Sequence, residues 1–215
     1  MATTGLNTLR LGILISGRGS NMEAIIRHAN KRAMFSSVFS RRIEIATVLS
    51  DRRDAPGLEI AKEYGIDACY MPPGEFKTKL EGTAEKAYID YLKQKNVNLI
   101  CLAGFMRVLK ASFLTAFNGR VINIHPSLLP AYPGLNVHKR VLAEKEPKTG
   151  CTVHVVSKGI DTGRILEQES LDIETDDTVY RLSQRVLALE HAIYWKVIVK
   201  IAAGKDPNYV LPLKD

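Results

Sequence analysis

Asn123 and His125 carry the clearest chemistry in the sequence, and three prolines follow them within residues 126–133. In a strand, alternation places these two side chains on one side and Ile124 on the other. An amide beside an imidazole can stabilise a developing oxyanion and manage a proton, as acyl transfer to an amine requires. A histidine at a strand end is also often structural. The prolines favour the catalytic interpretation, because they predict a rigid loop at the strand's carboxyl end, where sites form.

Two acidic residues in the C-terminal third are further candidates. Asp161 lies in the glycine turn 159–163, where an acid commonly bonds only the local backbone. Glu190 stands between Val186 and Ile193 in the apolar stripe of the last predicted helix. A carboxylate is costly to bury there unless it is paired or binds a ligand, and an amine-bearing ligand would supply the partner.

A glycine-containing loop, Gly17–Asn21, separates the apolar run Leu11–Ile15 from a predicted helix. Backbone N–H groups at a helix N-terminus, approached closely through glycines, form an anion site that suits phosphate. A dinucleotide fingerprint would require a third glycine where this chain has Met22, although Asp51 could act as its ribose-binding acid. The loop therefore predicts a phosphate site, with a dinucleotide site and a simple tight turn as alternatives.

The elements that must position these residues alternate between strand and helix, which is typical of a parallel sheet. The pattern predicts an α/β fold: a Rossmann-like, mostly parallel sheet with helices on both faces, antiparallel strands added in the C-terminal third, and a long C-terminal helix. Predicted strands are Leu11–Ile15, Ile43–Leu49, Ala68–Met71, Leu99–Leu102, Val121–Ile124, Thr152–Val156 and Arg164–Leu171, and predicted helices follow Asn21, cover Ala55–Tyr64 and Thr83–Gln94, and begin near Thr175.

The last predicted helix has acids in its first turn and a continuous apolar stripe. The stripe consists of Val179, Leu182, Val186, Leu189, Ile193, Val197 and Ile201. We expect this stripe to be the buried face of the helix.

The 215 residues are 46% hydrophobic and 25% charged, a composition that predicts one globular domain over 1–215. Widely spaced Cys69, Cys101 and Cys151 favour core thiols in a reducing compartment over disulfides or a zinc site. The net charge of +7 is scattered, which favours phosphorylated or polycarboxylate small molecules over nucleic acid. No apolar run reaches the roughly 20 residues of a membrane span, so we expect no membrane contact and a cytoplasmic protein.

Several motifs, in the same order, resemble those of the glycinamide ribonucleotide formyltransferases, within the formyltetrahydrofolate-dependent transferases. The resemblance covers essentially the whole chain. It is carried by Ser16–Asn21, Ala103–Leu109, Asn123–Pro130 with Tyr132–Gly134, Gly150–His154, Asp161–Gly163 and Glu190–Ile193. It implies a single formyltransferase domain that moves a formyl group from 10-formyltetrahydrofolate, its co-substrate, to the amine of phosphoribosylglycinamide in purine synthesis.

The resemblance also implies roles for particular residues. The catalytic trio would be Asn123, His125 and Asp161, with the asparagine and histidine at the formyl oxygen and the aspartate organising the histidine and a water. The nucleotide would contact Gly19, Ser20, Asn21 and Glu190, and the folate would contact Met106, Arg107, Val108, Leu109 and Asn123. We expect Asp161 to favour the imidazolium form of His125. We expect no metal, and a monomer or weak homodimer.

The chain departs from that family's pattern at three places. Asn136 stands where many members carry a histidine, and Leu187 where some carry a glutamine. An arginine that some members use for the folate tail is missing from 76–86, where Lys79 or Lys86 would replace it.

The alternatives keep either the chemistry or the glycine loop. Related transferases use methionyl-tRNA, water or an amino sugar as acceptor. The first two are disfavoured by length, because those enzymes carry an additional domain, whereas a nucleotide-linked amino sugar stays open. A nucleotide-binding oxidoreductase or non-catalytic Rossmann-like module would use the glycine loop, but it leaves Asn123, His125 and Glu190 without a role.

Overall fold

The computed structural model describes residues 8–33 and 41–204. These ranges contain helices and strands in the alternating order that the sequence predicts. The strands are β1 (Thr8–Ile15), β2 (Arg42–Ser50), β3 (Ala68–Tyr70), β4 (Lys79–Leu80), β5 (Leu99–Leu102), β6 (Val108–Leu109), β7 (Val121–His125), β8 (Lys148–Val155) and β9 (Ile165–Asp172). The helices are α1 (Ser20–Ala33), α2 (Pro56–Glu63), α3 (Gly82–Gln94), α4 (Ala111–Ala116), α5 (Val137–Ala143) and α6 (Val179–Ala202).

The main sheet has seven strands in the order β3-β2-β1-β5-β7-β8-β9. The pairs from β3 to β7 are parallel, and β8 and β9 are added antiparallel. The predicted fold class is therefore confirmed. The chain runs outward from β1 in one direction through β2 and in the other through β5, so the strand order reverses there. In open α/β sheets, ligands bind at the carboxyl ends of the strands beside such a reversal.

Alternation along β1 divides the core between the two faces of the sheet. Leu11, Ile13 and Ile15 belong to a buried cluster with α1 and α6, whereas Leu14 belongs to a second cluster with α3 and α4. Gly12 allows α3 to approach closely, because a Cβ there would lie 2.7 Å from Leu92 Cδ2. Helices cover both faces, as an internal parallel sheet requires.

The long C-terminal helix begins later than its sequence pattern predicts. It starts at Val179, not near Thr175, because the Thr178 hydroxyl caps it by accepting a hydrogen bond from the Arg181 N–H at 3.1 Å. The acids expected in its first turn precede the helix, where Asp177 pairs with Arg185. Val179 is 48% exposed and lies outside the buried stripe. The rest of the predicted stripe is confirmed at Leu182, Val186, Ile193, Val197 and Ile201, and Leu189 is partly buried.

Four short elements have no counterpart among the predictions: β4, β6, α4 and α5. Each helix of this group spans only six or seven residues, too few for a helical period to emerge from the sequence. The strands β4 and β6 pair over two residues each. Their pairing joins segments that are far apart in the chain, so no local pattern indicates it.

The proline-rich loop after β7 is anchored to the antiparallel strands by side chains. The Thr152 hydroxyl donates to Ser127 O at 2.6 Å and accepts from the Leu129 N–H at 3.1 Å. Gln168 Nε2 donates to Leu129 O at 2.9 Å. The peptide bond between Leu129 and Pro130 is cis. The loop therefore has a defined shape directly beside the end of β7.

Tyr194 ties α6 to the middle of the sheet. Its fully buried hydroxyl lies 3.0 Å from Leu102 O, at the end of β5, and 3.1 Å from Ile122 O, near the start of β7. The helix is thus held directly beneath the strand that carries Asn123.

We expect Tyr194→Phe to lower the free energy of unfolding by about 1–2 kcal/mol, because it leaves buried carbonyl groups without this donor. Urea denaturation measures the change. Tyr180→Phe is the control, because Tyr180 lies on the same helix and is 75% exposed. Equal effects of the two substitutions would contradict the assignment.

Candidate active site

His125, at the end of β7, faces two acceptors from different loops. Its Nε2 lies 2.9 Å from Tyr132 O, and its Nδ1 lies 3.3 Å from Asp161 Oδ2. The same Asp161 oxygen accepts the Gly134 N–H at 2.8 Å. A single carboxylate therefore joins the proline-rich loop, the glycine turn and the imidazole.

The backbone of the glycine turn explains why Asp161 points inward. Asp161 itself has a left-handed φ of 54°, a conformation that aspartate tolerates better than most residues. Gly163 accepts no side chain, because a Cβ there would lie 1.5 Å from Val155 O. The turn thus approaches β8 closely enough to bring the carboxylate to the sheet.

His154 is a neighbour of Asn123 to which the sequence assigns no role. The antiparallel register pairs these residues on β7 and β8, and Asn123 Nδ2 lies 3.2 Å from His154 Nε2. His154 Nδ1 lies 3.1 Å from Val155 O. Because a carbonyl only accepts, the tautomer with its proton on Nδ1 donates to Val155 O and accepts from Asn123 at Nε2, whereas a proton on Nε2 faces Asp161 Oδ1, 3.6 Å away. The second N–H of the asparagine amide is then available to a ligand.

Burial and charge act in opposite directions on His125. Burial lowers its pKa, and this effect outweighs the contacts with Tyr132 O and the Asp161 carboxylate that raise it. The expected effect of Asp161 is confirmed, because its charge raises the pKa of His125, but burial is the larger effect and lowers the pKa overall.

The carboxylate of Asp161 is stabilised as an anion. Burial raises its pKa, but the His154 imidazole, the Gly134 N–H and the charge of His125 together hold the pKa below its usual value. Asp161 is therefore ionised at neutral pH beside a histidine whose pKa is lowered.

One cavity of about 800 Å³ connects the predicted site residues. Its volume lies in the range of pockets that bury small-molecule ligands. The candidates that line it are Asn21, Met106, Arg107, Val108, Leu109, Asn123, His125, Asp161 and Glu190. Gly19 and Ser20 are not part of its lining, and they precede Asn21 in the turn that starts α1.

At one end of the cavity, Asn21 and Glu190 contact each other across α1 and α6. Asn21 Nδ2 donates to Glu190 Oε2 at 2.6 Å, and Glu190 is only 8% exposed. Burial raises the pKa of Glu190 to about 7, against the opposing effect of the Asn21 hydrogen bond. Asn21 Oδ1 is buried and has no hydrogen-bond partner among the described residues. The pair can thus bind a polar ligand.

The glycine loop beside this end is shaped by contact with α2. The Gly57 N–H donates to Gly17 O at 3.1 Å. A Cβ on Gly57 would lie 3.0 Å from the same oxygen, and Gly19 adopts a left-handed φ of 76°. Because α1 begins at Ser20, its first N–H groups follow directly, as an anion site requires.

A second part of the cavity lining, the apolar wall, is formed by the segment 104–109. Met106 is 61% exposed and Val108 41% exposed, so apolar surface is offered to a ligand. Arg107 lines the cavity, but its guanidinium binds Asp51 through Nε at 2.6 Å. The cavity rim also includes Leu135 and Ile160, 71% and 57% exposed, which the sequence did not single out.

Of the residues at which the chain departs from the family pattern, only Asn136 lines the cavity. Asn136 lines the cavity and begins α5 with a left-handed φ of 57°. Leu187 is not among the lining residues. Lys79 pairs with Glu81, and Lys86 pairs with Asp90 on the surface of α3.

Two classes of site have no support among residues 8–33 and 41–204. None of their helices combines the length and apolar character that a membrane crossing needs. In the same ranges, no three His, Cys, Asp or Glu side chains converge as metal ligands do. The expected independence from metal stays a prediction.

Residues 9–198 match the family model described as formyl transferase. The chain is 37% identical over 198 residues to the trifunctional purine biosynthetic protein adenosine-3 of Gallus gallus, and 40% identical over 195 residues to that of Drosophila melanogaster. These alignments cover 92% and 91% of this chain, but only 19% and 14% of the relatives. The chain thus spans a fifth or less of their length.

Solved structures of similar size show the same fold. Glycinamide ribonucleotide transformylase 1 from Symbiobacterium toebii is 39% identical with a TM-score of 0.83, and the alignment covers 94% of each chain. Phosphoribosylglycinamide formyltransferase from Brucella melitensis is 40% identical with a TM-score of 0.81, over 92% of this chain and 97% of its own.

The raised pKa of Glu190 predicts a pH-dependent stability. The folded protein binds this proton more tightly than the unfolded chain, so the stability that it contributes is lost as pH rises from about 4.5 through 7. We expect wild type to lose about 1–3 kcal/mol relative to Glu190→Gln across that window. Urea unfolding at several pH values measures the difference. Glu63→Gln, at an exposed position, is the control, and parallel profiles for wild type and Glu190→Gln would contradict the prediction.

Proposed function

The chain belongs to the formyl transferase family, and we propose that it transfers the formyl group of 10-formyltetrahydrofolate to the amine of phosphoribosylglycinamide, a step of purine synthesis. The names of its relatives and structural neighbours support this acceptor. The observation that carries the proposal is the cavity, which brings together Asn21 and Glu190, the Asn123–His125–Asp161 group and an apolar wall.

Asn123 and His125 are proposed to act on the formyl oxygen. Attack by the amine moves negative charge onto this oxygen, and the Asn123 N–H that is not directed at His154 donates to it. His154 is thereby a positioning residue for the amide. Burial lowers the pKa of His125 and so disfavours the charged ring before the reaction. The negative charge that develops on the formyl oxygen then favours protonation of the ring.

Asp161 is proposed to orient a water that takes the proton lost by the amine and delivers it to the folate nitrogen as the bond between that nitrogen and the formyl carbon breaks. The Asp161 carboxylate is in direct contact with the imidazole, at 3.3 Å from His125 Nδ1, so this water would bind on the cavity side of the two groups. An ionised Asp161 stabilises the imidazolium once this forms. The product amide and tetrahydrofolate then leave the cavity.

The two substrates are proposed to bind at different parts of the cavity, the nucleotide beside Asn21 and Glu190 and the folate along the segment 104–109. The phosphate would bind the N–H groups at Gly19, Ser20 and Asn21, where the start of α1 favours an anion. Glu190 would accept hydrogen bonds from the nucleotide's ribose or amine, which compensates for its burial.

The folate is proposed to pack along the apolar wall. Met106, Val108 and Leu109 offer side chains or backbone to its ring, and Asn123 meets its formyl group. Arg107 contributes its backbone, because its guanidinium is bound to Asp51. Catalysis by the chain's own groups requires no metal.

Other expectations concern the location, domain organisation, oligomeric state and partners of the protein. A cytoplasmic location, one domain over 1–215, a monomer or weak homodimer, and the absence of nucleic-acid and membrane partners stay predictions. The residues that line the cavity support small-molecule substrates.

We expect Asn123→Ala and His125→Ala each to lower turnover by about 100-fold or more, because the first removes a donor to the oxyanion and the second removes the ring whose positive charge stabilises it. Formyl transfer to phosphoribosylglycinamide is followed with a folate whose deformylated product is chromophoric. His28→Ala is the control, because His28 packs on Trp195 outside the cavity. Full activity in either cavity variant would reject its assigned role.

The acceptor is tested with the folded wild-type protein. We expect turnover with phosphoribosylglycinamide and none with nucleotide-linked amino sugars. Turnover with an amino sugar alone would replace the proposed acceptor and keep the formyl chemistry. Thermal stabilisation by a nicotinamide dinucleotide without any formyl transfer would instead favour the dinucleotide-binding alternative.

A further inference from the structure

A buried ion pair joins the end of β2 to the apolar wall. Arg107 Nε donates to Asp51 Oδ2 at 2.6 Å, and the side chains of Arg107 and Asp51 are 13% and 4% exposed. By contrast, Arg52 and Asp54, in the same turn, form an ion pair with side chains 59% and 74% exposed. The Asp51 pair therefore belongs to the interior, where a charge left without its partner is strongly unfavourable.

The same carboxylate also reaches the strand that leads into the glycine loop. Ser16 Oγ donates to Asp51 Oδ1 at 2.5 Å, and the Met106 N–H donates to Ser16 Oγ at 2.9 Å. Asp51 thus holds the proposed folate wall twice, once through the Arg107 side chain and once through the backbone at Met106. Ser16 directly precedes Gly17, so the Asp51 carboxylate connects the glycine loop to the segment 104–109.

A third segment is attached through Arg107. Its Nη1 donates to Phe76 O, and the neighbouring Thr78 lines the cavity. Otherwise the segment 75–80 meets the wall through the two-residue pairing of β4 with β6. The wall and this segment therefore have few regular hydrogen bonds and depend on the ion pair for a defined position.

We propose that Asp51 is a positioning residue for the folate. The negative charge of Asp51 binds the Arg107 guanidinium and keeps it from contacting the folate. Through Arg107 and Ser16, Asp51 also fixes the position of the Met106–Leu109 backbone, against which the folate ring packs. The inference rests on the proposed function for its kinetic consequence. The ordering of the wall by Asp51 is a property of the protein alone.

Asp51→Asn tests the charge with almost no change of shape. We expect the KM for 10-formyltetrahydrofolate to rise by about tenfold or more, since small displacements of a binding wall have effects of this size. The KM for phosphoribosylglycinamide should change by less than threefold, and kcat at saturating folate should remain close to that of wild type. Asp54→Asn is the matched control, and we expect it to change neither KM.

Two further variants separate the charge from the contact. Asp51→Asn combined with Arg107→Gln removes both charges and leaves an amide pair, so we expect a lower folate KM than in Asp51→Asn alone. Ser16→Ala keeps the ion pair and removes the bridge to the Met106 N–H, and it should raise only the folate KM. This second variant tests the proposal if Asp51→Asn fails to fold.

Hydrogen exchange provides a readout that needs no substrate. In Asp51→Asn without ligand, we expect faster exchange in 75–80 and 104–109 and unchanged exchange in β8 and β9. Unchanged exchange in the wall, or equal increases in both KM values, would overturn the positioning role. If the wild type transfers no formyl group but the wall still loosens, the proposed function fails and the structural role of Asp51 stands.

Discussion

The Asp161 carboxylate holds together three parts of the chain that are distant in sequence. It accepts the Gly134 N–H from the proline-rich loop and lies beside the imidazoles of His125 and His154 on two neighbouring strands. Without this acceptor, the loop would lose its contact with the turn, and the two histidines would lose the anion that lies between them. This one group therefore fixes the loop and both histidines at the end of β7.

Burial shifts the pKa values of two cavity residues, His125 and Glu190, in opposite directions. Burial lowers the pKa of His125 and raises that of Glu190 to about 7, because in each case it disfavours the charged form. The walls are thus prepared for partners that bring charge: an oxyanion near His125 and a polar or cationic group near Glu190. A cavity of this kind binds substrates partly by relieving its own desolvation.

The sheet provides the frame on which these groups are placed. The strand order reverses at β1, and the glycine loop follows β1 at this point, held by backbone contact with Gly57 of α2. β7 brings Asn123 and His125 to the same edge, two strands away from β1. Asp51 links the glycine loop to the segment 104–109 through Ser16 and Arg107, so two parts of the proposed substrate site are joined by polar contacts.

Local patterns in the sequence determined much of this arrangement. Alternation sufficed to place Asn123 and His125 on one side of a strand, and the apolar stripe of α6 sufficed to indicate that Glu190 is buried. Both inferences use the geometry of a single element, which a few neighbouring residues specify. Tertiary structure alone decided that His154 lies opposite Asn123, that Arg107 turns to Asp51, and that burial outweighs Asp161 in the pKa of His125. These features depend on register, close approach and desolvation between segments far apart in the chain, for which no local period exists.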